Sequence, residues 1–407
     1  MSHAERLASE PEVNLYVASL VRRHGHDAEG LEQLVRACHG AFPTVVQAIA
    51  RKMAQDDPGS IDPAALARTL TDAGRLDAAD SVLPIPHPLD LEWRFSSSCC
   101  AALARLVDEV RQPGEPVALL GTPGFAERFH EFAKQGSATL FEGRLEACNA
   151  LRSIPSLDIV PGDVQETWPQ HSQGFMAAVA DPPWYPSITE IFLQAGAGLL
   201  RTGGVLYFCA PGLGTRPNLP RERANLTKVA LDNGLVLESL SPSVIEYESP
   251  PFEIAALAAA GLHAYDSRWR RGDLLRFRRL STNHDSALTT TDKRHHAARA
   301  EDWREVSIGR GRIRVDVASR YPGAALLESI VPGDVLDSVS TRDPRRVGVN
   351  VWTATNRVFR TGIPEALLTS LEAVMTGASH DGDDEVVNAA HRLIADETCT
   401  LRSLGID

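Results

Sequence analysis

The stretch Phe175-Met176-Ala177-Ala178-Val179-Ala180-Asp181-Pro182-Pro183-Trp184-Tyr185 decides the fold. Its unbroken apolar run reads as a strand buried on both faces, and the two prolines end it abruptly. Strands of that kind form parallel sheets covered by helices, whose ligands bind at the carboxyl ends of the strands. Asp181 is thereby delivered to a ligand-binding edge. Proline has no N–H, so the rigid backbone that follows offers carbonyl oxygens, Pro182 first. Trp184 and Tyr185 add flat apolar faces. An acid, a carbonyl and an aromatic wall suit a neutral amino group that attacks an electrophile. For the Asp-Pro-Pro element alone, the alternative is a Pro-rich turn whose acid caps the next helix.

Working outward, the region 89–281 alternates strand and helix patterns. Val117-Ala118-Leu119-Leu120 ends in Gly121-Thr122-Pro123-Gly124 before a helical pattern from Phe125 to Ala133. Ala138-Thr139-Leu140-Phe141 ends in Glu142, and Leu157-Asp158-Ile159-Val160 leads to Gly162-Asp163. Val205 to Phe208 follows the Gly203-Gly204 turn, and Leu235 to Val244 with Leu274 to Phe277 reads as a closing pair. Repeated strand–helix units predict an α/β, Rossmann-like doubly wound sheet. In such a sheet the first strand-to-helix turn is the default nucleotide cradle, so Gly121, Thr122 and Gly124 are candidate cofactor contacts. Glu142 is placed to accept hydrogen bonds from ribose hydroxyls, and Asp163 from an adenine amino group. A loop glycine, a solvated acid and an Asx-type turn are the plain alternatives; the ordered series is what argues for a site. Glu246-Tyr247-Glu248 closes the sixth predicted strand near the same edge and could hold a cationic acceptor, or be a solvated acidic loop.

The flanks differ in character. Residues 1–85 read as a helical, winged-helix-like module, with apolar stripes at Leu15 to Val21, Leu31 to Cys38 and Val45 to Ala50, and a fourth helix opened by Asp62-Pro63. A docking role is favoured over DNA reading, because Arg51 and Lys52 are sparse groove contacts. Leu83-Pro84-Ile85-Pro86-His87-Pro88 reads as a stiff linker, and the polar stretch Ser281 to Arg294 as a second. Residues 295–407 read as a small α+β accessory domain with strands near Arg312 to Val317, Asp334 to Leu336 and Val347 to Trp352. Helices are expected from Pro364 to Met375 and after Asp381 to Asp384. The arginines around Trp269 and Trp352 could contact phosphate, but a solvated, locally paired face is the simpler expectation.

A net charge of -12 excludes a protein built as a whole to coat nucleic acid. Six cysteines without a Cys-x-x-Cys pair or histidine ligand spacing predict no metal. No run approaches the ~20 apolar residues of a membrane span, and the polar start lacks an apolar signal core, so a reducing, cytoplasmic setting is expected.

At Gly121 to Gly124, Glu142, Asp163 and Asp181 to Trp184 the chain resembles the class I S-adenosylmethionine-dependent methyltransferases. Asp181-Pro182-Pro183-Trp184 resembles the amine-acceptor motif of the N6-adenine methyltransferases. That resemblance implies that Asp181 and the Pro182 carbonyl accept from the target amino group, that Trp184 stacks on it and that Tyr185 adds a wall. The layout up to Glu248 also resembles the branched-chain polyamine synthases, which are aminopropyltransferases. Asp90 to Val107, Asp181-Pro182-Pro183, Leu199 to Gly204 and Asn233 to Glu248 carry this second resemblance. That family has a glycine followed by three acids after its first strand, where this chain has Gly121-Thr122-Pro123-Gly124. The departure favours S-adenosylmethionine over its decarboxylated form. The expectation is thus an S-adenosylmethionine-dependent N-methyltransferase acting on an adenine-like or small amine. An aminopropyltransferase is the alternative and a non-catalytic scaffold the outside one, with the terminal domains available for a homo-oligomer or protein partner.

Overall fold

The computed structural model describes residues 10–25, 31–38, 40–57, 81–133, 136–262, 268–280, 302–321, 323–340, 343–378 and 383–406. The expected helix at Asp62-Pro63 and the linker at Ser281 to Arg294 lie outside them. The chain divides into one unit of residues 1–83, 94–248 and 264–289, and a second of residues 84–93, 249–263 and 290–407.

In the first unit, helices Pro11–His24, Leu31–Ala37 and Pro43–Asp56 precede an eight-stranded sheet. Its strands are β1 (Arg94–Phe95), β2 (Val117–Leu120), β3 (Ala138–Glu142), β4 (Leu157–Pro161), β5 (Phe175–Ala180), β6 (Leu200–Pro211), β7 (Leu235–Glu248) and β8 (Arg271–Arg279). They lie in the order β1-β7-β8-β6-β5-β2-β3-β4. β4, β3, β2, β5 and β6 run parallel; β8, β7 and β1 add antiparallel pairs at the other side. This is the predicted Rossmann-like doubly wound sheet, with β7 and β8 as its closing pair.

The sequence explains why these elements form. Every residue of β2 is buried, as in a strand covered on both faces, and Ala118, Leu120, Ala178, Ala180, Leu206 and Phe208 share one core cluster. Proline opens helices Pro123–Phe132 and Pro186–Leu199, where its fixed φ fits the first turn and its missing N–H has no intrahelical partner to lose. Gly196 lets the second of these lie close on the sheet, since a Cβ there would stand 2.9 Å from the Leu206 methyls. Among the described residues no strand precedes Arg94, so the winged-helix expectation rests on helices alone.

The second unit holds an antiparallel sheet, β11-β13-β12-β10-β9, made of β9 (Trp303–Ile308), β10 (Gly311–Asp316), β11 (Glu328–Ser329), β12 (Val351–Thr353) and β13 (Val358–Arg360). Helices Pro364–Thr376 and Asp384–Ser403 pack on it through Leu367, Leu371, Ala390 and Leu393. The sequence predicts longer strands here. Val347 and Gly348 form a turn, with Gly348 at φ 92°, residues 349 and 350 are not in a strand, and Val335 makes only an isolated bridge to Arg357.

The presumed linker is the larger difference. Ile85 and His87 are buried, and the Asp90 carboxylate is held by Arg312 and, at 2.7 Å, by Arg314. His87 Nδ1 accepts from the Leu89 N–H at 3.2 Å, and Nε2 donates to the Trp352 carbonyl at 3.1 Å. Residues 84–93 are thus built into the second unit, because an ion-paired acid and a fully bonded imidazole anchor a chain that composition alone reads as a spacer. The predicted solvated, locally paired arginine face is corrected at two positions, since Arg312 and Arg270 are buried, while Arg314 and Arg345 do pair with the nearby acids Glu305 and Asp343.

Candidate functional site

The order of strands creates the site. β2 leads outward to β3 and β4, while β5 and β6 lie on its other side, so the connections reverse between β2 and β5. In open α/β sheets this switch point opens a crevice beyond the strand ends. Backbone bonds tie the rim together: Asp181 N donates to Leu120 O at 3.2 Å, Gly121 N to Phe141 O at 3.0 Å, and Gly162 N to Glu142 O at 3.0 Å. The predicted cradle, both strand-end acids and the acceptor motif therefore share one edge.

The cradle is tight. Gly121 has φ 62°, and a Cβ there would stand 2.8 Å from the Phe192 ring and 3.5 Å from the Asp181 carbonyl, so only glycine fits. The helix Pro123–Phe132 starts at this turn with no acid in its first turn, leaving the positive end of its dipole uncompensated by its own side chains. Thr122 Oγ1 is buried and has no hydrogen-bond partner among the described residues. A buried hydroxyl without a partner costs free energy unless a ligand supplies one. The Arg94 side chain lies across Gly124, its Cγ 3.1 Å from where a Cβ would stand. A left-handed glycine turn and an unpartnered hydroxyl at a helix amino end fit the carboxylate-bearing tail of a nucleoside-type cofactor.

Glu142 is buried at the end of β3 and is held by Arg144, whose backbone N–H donates at 2.9 Å and whose Nε lies at 3.0 Å. Asp163 is exposed and caps the helix Val164–Thr167, accepting from Gln165 N at 2.8 Å. The Asx-type turn foreseen as the plain alternative is present at that position.

On the other side of the crevice, Asp181 Oδ1 accepts from the Tyr247 hydroxyl at 2.7 Å. Burial pushes the Asp181 carboxyl up to about 8, and the Tyr247 hydrogen bond offsets part of that rise. The Tyr185 N–H donates to the Pro183 carbonyl at 2.7 Å, while no described residue donates to the Pro182 carbonyl. Trp184 is half-buried, with the Tyr247 ring edge-on at 5.6 Å. Tyr185 caps the helix Pro186–Leu199. Cys99 and Cys209 lie nearby with thiols raised by burial, Cys99 to about 12, which keeps both protonated and unreactive.

The predicted trio Glu246-Tyr247-Glu248 is split by strand alternation. Tyr247 reaches Asp181, whereas Glu246 turns to Arg271, with Nη2–Oε2 at 2.7 Å. Glu248 stands opposite Arg94 in the β1–β7 register. Sequence reasoning missed Arg94, and it missed a cluster around Arg270, whose guanidinium lies 4.7 Å from the Trp269 ring centroid, 5.3 Å from Phe42 and 5.6 Å from Trp184. Phe42 comes from the helical module, so that module packs beside the acceptor motif. The only signal was the Arg268-Trp269-Arg270-Arg271 alternation of arginine with an aromatic residue.

No family model matches the chain, and none of the curated proteins matches it. Among solved structures it is similar to a branched-chain polyamine synthase from Thermus thermophilus, solved in complex with N4-aminopropylspermidine and 5′-methylthioadenosine. The two are 16% identical over 68% of this chain and 92% of that one, with a TM-score of 0.46. It is also similar to a TehB-like SAM-dependent methyltransferase from Corynebacterium glutamicum, 14% identical over 43% of this chain and 86% of that one, with a TM-score of 0.31. These likenesses concern the fold alone. On its strand order, the first unit of this chain has the class I S-adenosylmethionine-dependent methyltransferase fold.

Proposed function

We propose that the first unit is an S-adenosylmethionine-dependent N-methyltransferase acting on an amino group of an adenine-like or small amine. The observation that carries this reading is the apposition of Gly121 and Asp181 across the switch point, where a Cβ on Gly121 would stand 3.5 Å from the Asp181 backbone carbonyl. It sets a cofactor-type turn against an amine-type acceptor motif.

The bound cofactor would supply the activated methyl group as a strong electrophile; the rest falls to the chain. Gly121, Thr122 and Gly124 would hold its polar tail, Glu142 its ribose and Asp163 its base. Asp181 Oδ2 and the Pro182 carbonyl would accept the two N–H bonds of the acceptor, aiming the nitrogen lone pair at the cofactor. Trp184 and Tyr185 would hold a planar acceptor and exclude water. Catalysis of this kind is mainly positioning, with hydrogen bonds that strengthen as charge develops on nitrogen. Asp181 accepts from an amine most strongly when ionised, so its raised proton affinity should place an acid limb near pH 8 in the rate profile.

The salt bridge from Glu246 to Arg271 leaves less free negative charge for a polyamine, which favours methyl over aminopropyl transfer. The same proposal places the protein in a reducing, cytoplasmic setting, in keeping with six unpaired cysteines. None of the described helices is long and apolar enough to cross a membrane. The helical module at the amino end is assigned to docking, through Phe42 beside the acceptor motif.

Calorimetry with S-adenosylmethionine, decarboxylated S-adenosylmethionine and methylthioadenosine tests the reading. Tightest binding of the intact cofactor is expected. Tighter binding of the decarboxylated form would turn the assignment to aminopropyl transfer, and no binding of any would leave a scaffold.

A further inference from the structure

We propose that Tyr247 is a positioning residue: its phenol, seated on Oδ1, fixes the Asp181 carboxyl so that Oδ2 alone is presented to the acceptor amine. This rests on the reading of Asp181 as the amine acceptor, and assigns a role to a residue that the sequence suggests only as part of an acidic, cation-holding strip.

The phenol has no freedom to do otherwise. Tyr247 is 1% exposed, and its ring packs against Phe95 at 5.3 Å and edge-on to Trp184 at 5.6 Å. Its backbone N–H donates to the Arg270 carbonyl at 3.1 Å, and it stands in register with Phe95 on β1. Gly272 on β8 makes the space for this packing. A Cβ there would stand 3.3 Å from Trp184 Cζ2, 3.4 Å from Tyr247 Cε2 and 2.9 Å from the Ala210 carbonyl. A ring clamped on three sides delivers its hydroxyl to one point, and the 2.7 Å contact to Oδ1 is that of a strong O–H···O bond.

The direction of the bond is set by the surroundings. Burial and the nearby Asp181 carboxylate both hold the phenol well above its ordinary range, so Tyr247 stays neutral and donates. Cys99 on the helix Ser97–Asp108 and Cys209 on β6 also face this pair, and both thiols remain protonated. Arg270 and Arg271 lie at the start of β8, the first engaged with rings and the second with Glu246. Tyr247 is therefore the donor that sets the rotamer of Asp181 and offsets part of the rise in proton affinity that burial imposes. Among the described residues no hydrogen bond is made to Oδ2, which leaves that oxygen for the substrate.

The test reads Asp181 directly in the full-length protein without an acceptor. Infrared titration follows the protonated-carboxyl band, assigned by its loss in Asp181→Asn. The wild-type midpoint is expected near 8. Tyr247→Phe keeps the ring and removes only the donor, so the midpoint should rise by about one to two pH units, the worth of a hydrogen bond to a charged group. Uniform incorporation of 3-fluorotyrosine, a stronger donor, should move it the other way and guards against a poorly folding variant. A wild-type midpoint in both samples overturns the positioning role. Calorimetry on the same proteins separates the two levels: absent donor binding removes the transferase reading, whereas intact binding with an unmoved midpoint removes only the role of Tyr247.

Discussion

Arg144 folds back onto Glu142, so that Glu142 Oε1 accepts from the Arg144 backbone N–H at 2.9 Å and from Nε at 3.0 Å, while Oε2 receives only a 3.4 Å contact from Nη2. Oε1 thus carries two short hydrogen bonds and Oε2 one long one, which leaves Oε2 the less engaged oxygen. The arrangement fixes a buried carboxylate at the end of β3 in one orientation, which lowers the ordering cost if that carboxylate is to hold a ligand's diol.

Glu142→Ala should weaken binding of S-adenosylmethionine by about tenfold or more, because hydrogen bonds to an ionised partner are worth roughly 1.5–3 kcal/mol each. Wild-type affinity in a calorimetric titration would confine Glu142 to its pairing with Arg144.

Thr122→Val should weaken the same binding without destabilising the ligand-free protein. The hydroxyl is buried and has no partner among the described residues, so its replacement by a methyl group removes an unsatisfied polar atom. A fall in melting temperature with unchanged affinity would show that the hydroxyl serves the fold instead.

Asp181→Asn should keep cofactor affinity and lower transfer about thirtyfold to a thousandfold, equivalent to ~2–4 kcal/mol of transition-state stabilisation. It should also stabilise the protein. The folded carboxyl titrates near 8 against 3.8 unperturbed, so between those values the native state holds a proton that the unfolded chain has released. Wild-type stability therefore falls as pH rises through that window, by at most about 1.4 kcal/mol per pH unit. Melting curves should show the variant's advantage growing from pH 4 to pH 8; a constant difference would contradict the burial of this acid.

His87 gives the second unit the opposite dependence. Burial, and next the nearby Arg314, hold its imidazole well below the ordinary 6.5. Below pH 6.5 the unfolded chain binds a proton that the folded chain refuses, so stability should drop as pH falls, with a slope of about 1.4 kcal/mol per pH unit. Chemical denaturation at pH 7.5 and 5.5 should show a shallower acid loss in His87→Gln than in wild type. Equal losses would mean that His87 protonates in place.

Much of the site is legible in the sequence because it is local. The apolar run of β5 followed by two prolines puts Asp181 at a strand end, and Gly121 follows β2 in the same way. Both statements need only a strand's burial pattern and the steric limits of glycine and proline. The failures have an equally physical cause. The 83–88 segment has the composition of a spacer, yet His87 within it and Asp90 just after it find partners at Trp352, Arg312 and Arg314, more than two hundred residues onward. Composition carries no information about such partners. Arg270 likewise reads as one charge in a basic cluster, although three rings enclose it.

In the first unit the sequence by itself determined which segments become the sheet's strands and which residue types stand at their ends. Period and punctuation are properties of neighbouring residues, and they act before any distant contact forms. The tertiary structure alone decided which of those residues meet. Tyr247 is 66 positions from Asp181, and its hydroxyl arrives there because β8 pairs antiparallel with β6 and β7 in turn pairs antiparallel with β8. Alternation along β7 then sends Glu246 to Arg271 instead of to the site. Sheet order results from the packing of the whole domain, so the pairing of acid with phenol could be read only from the folded chain.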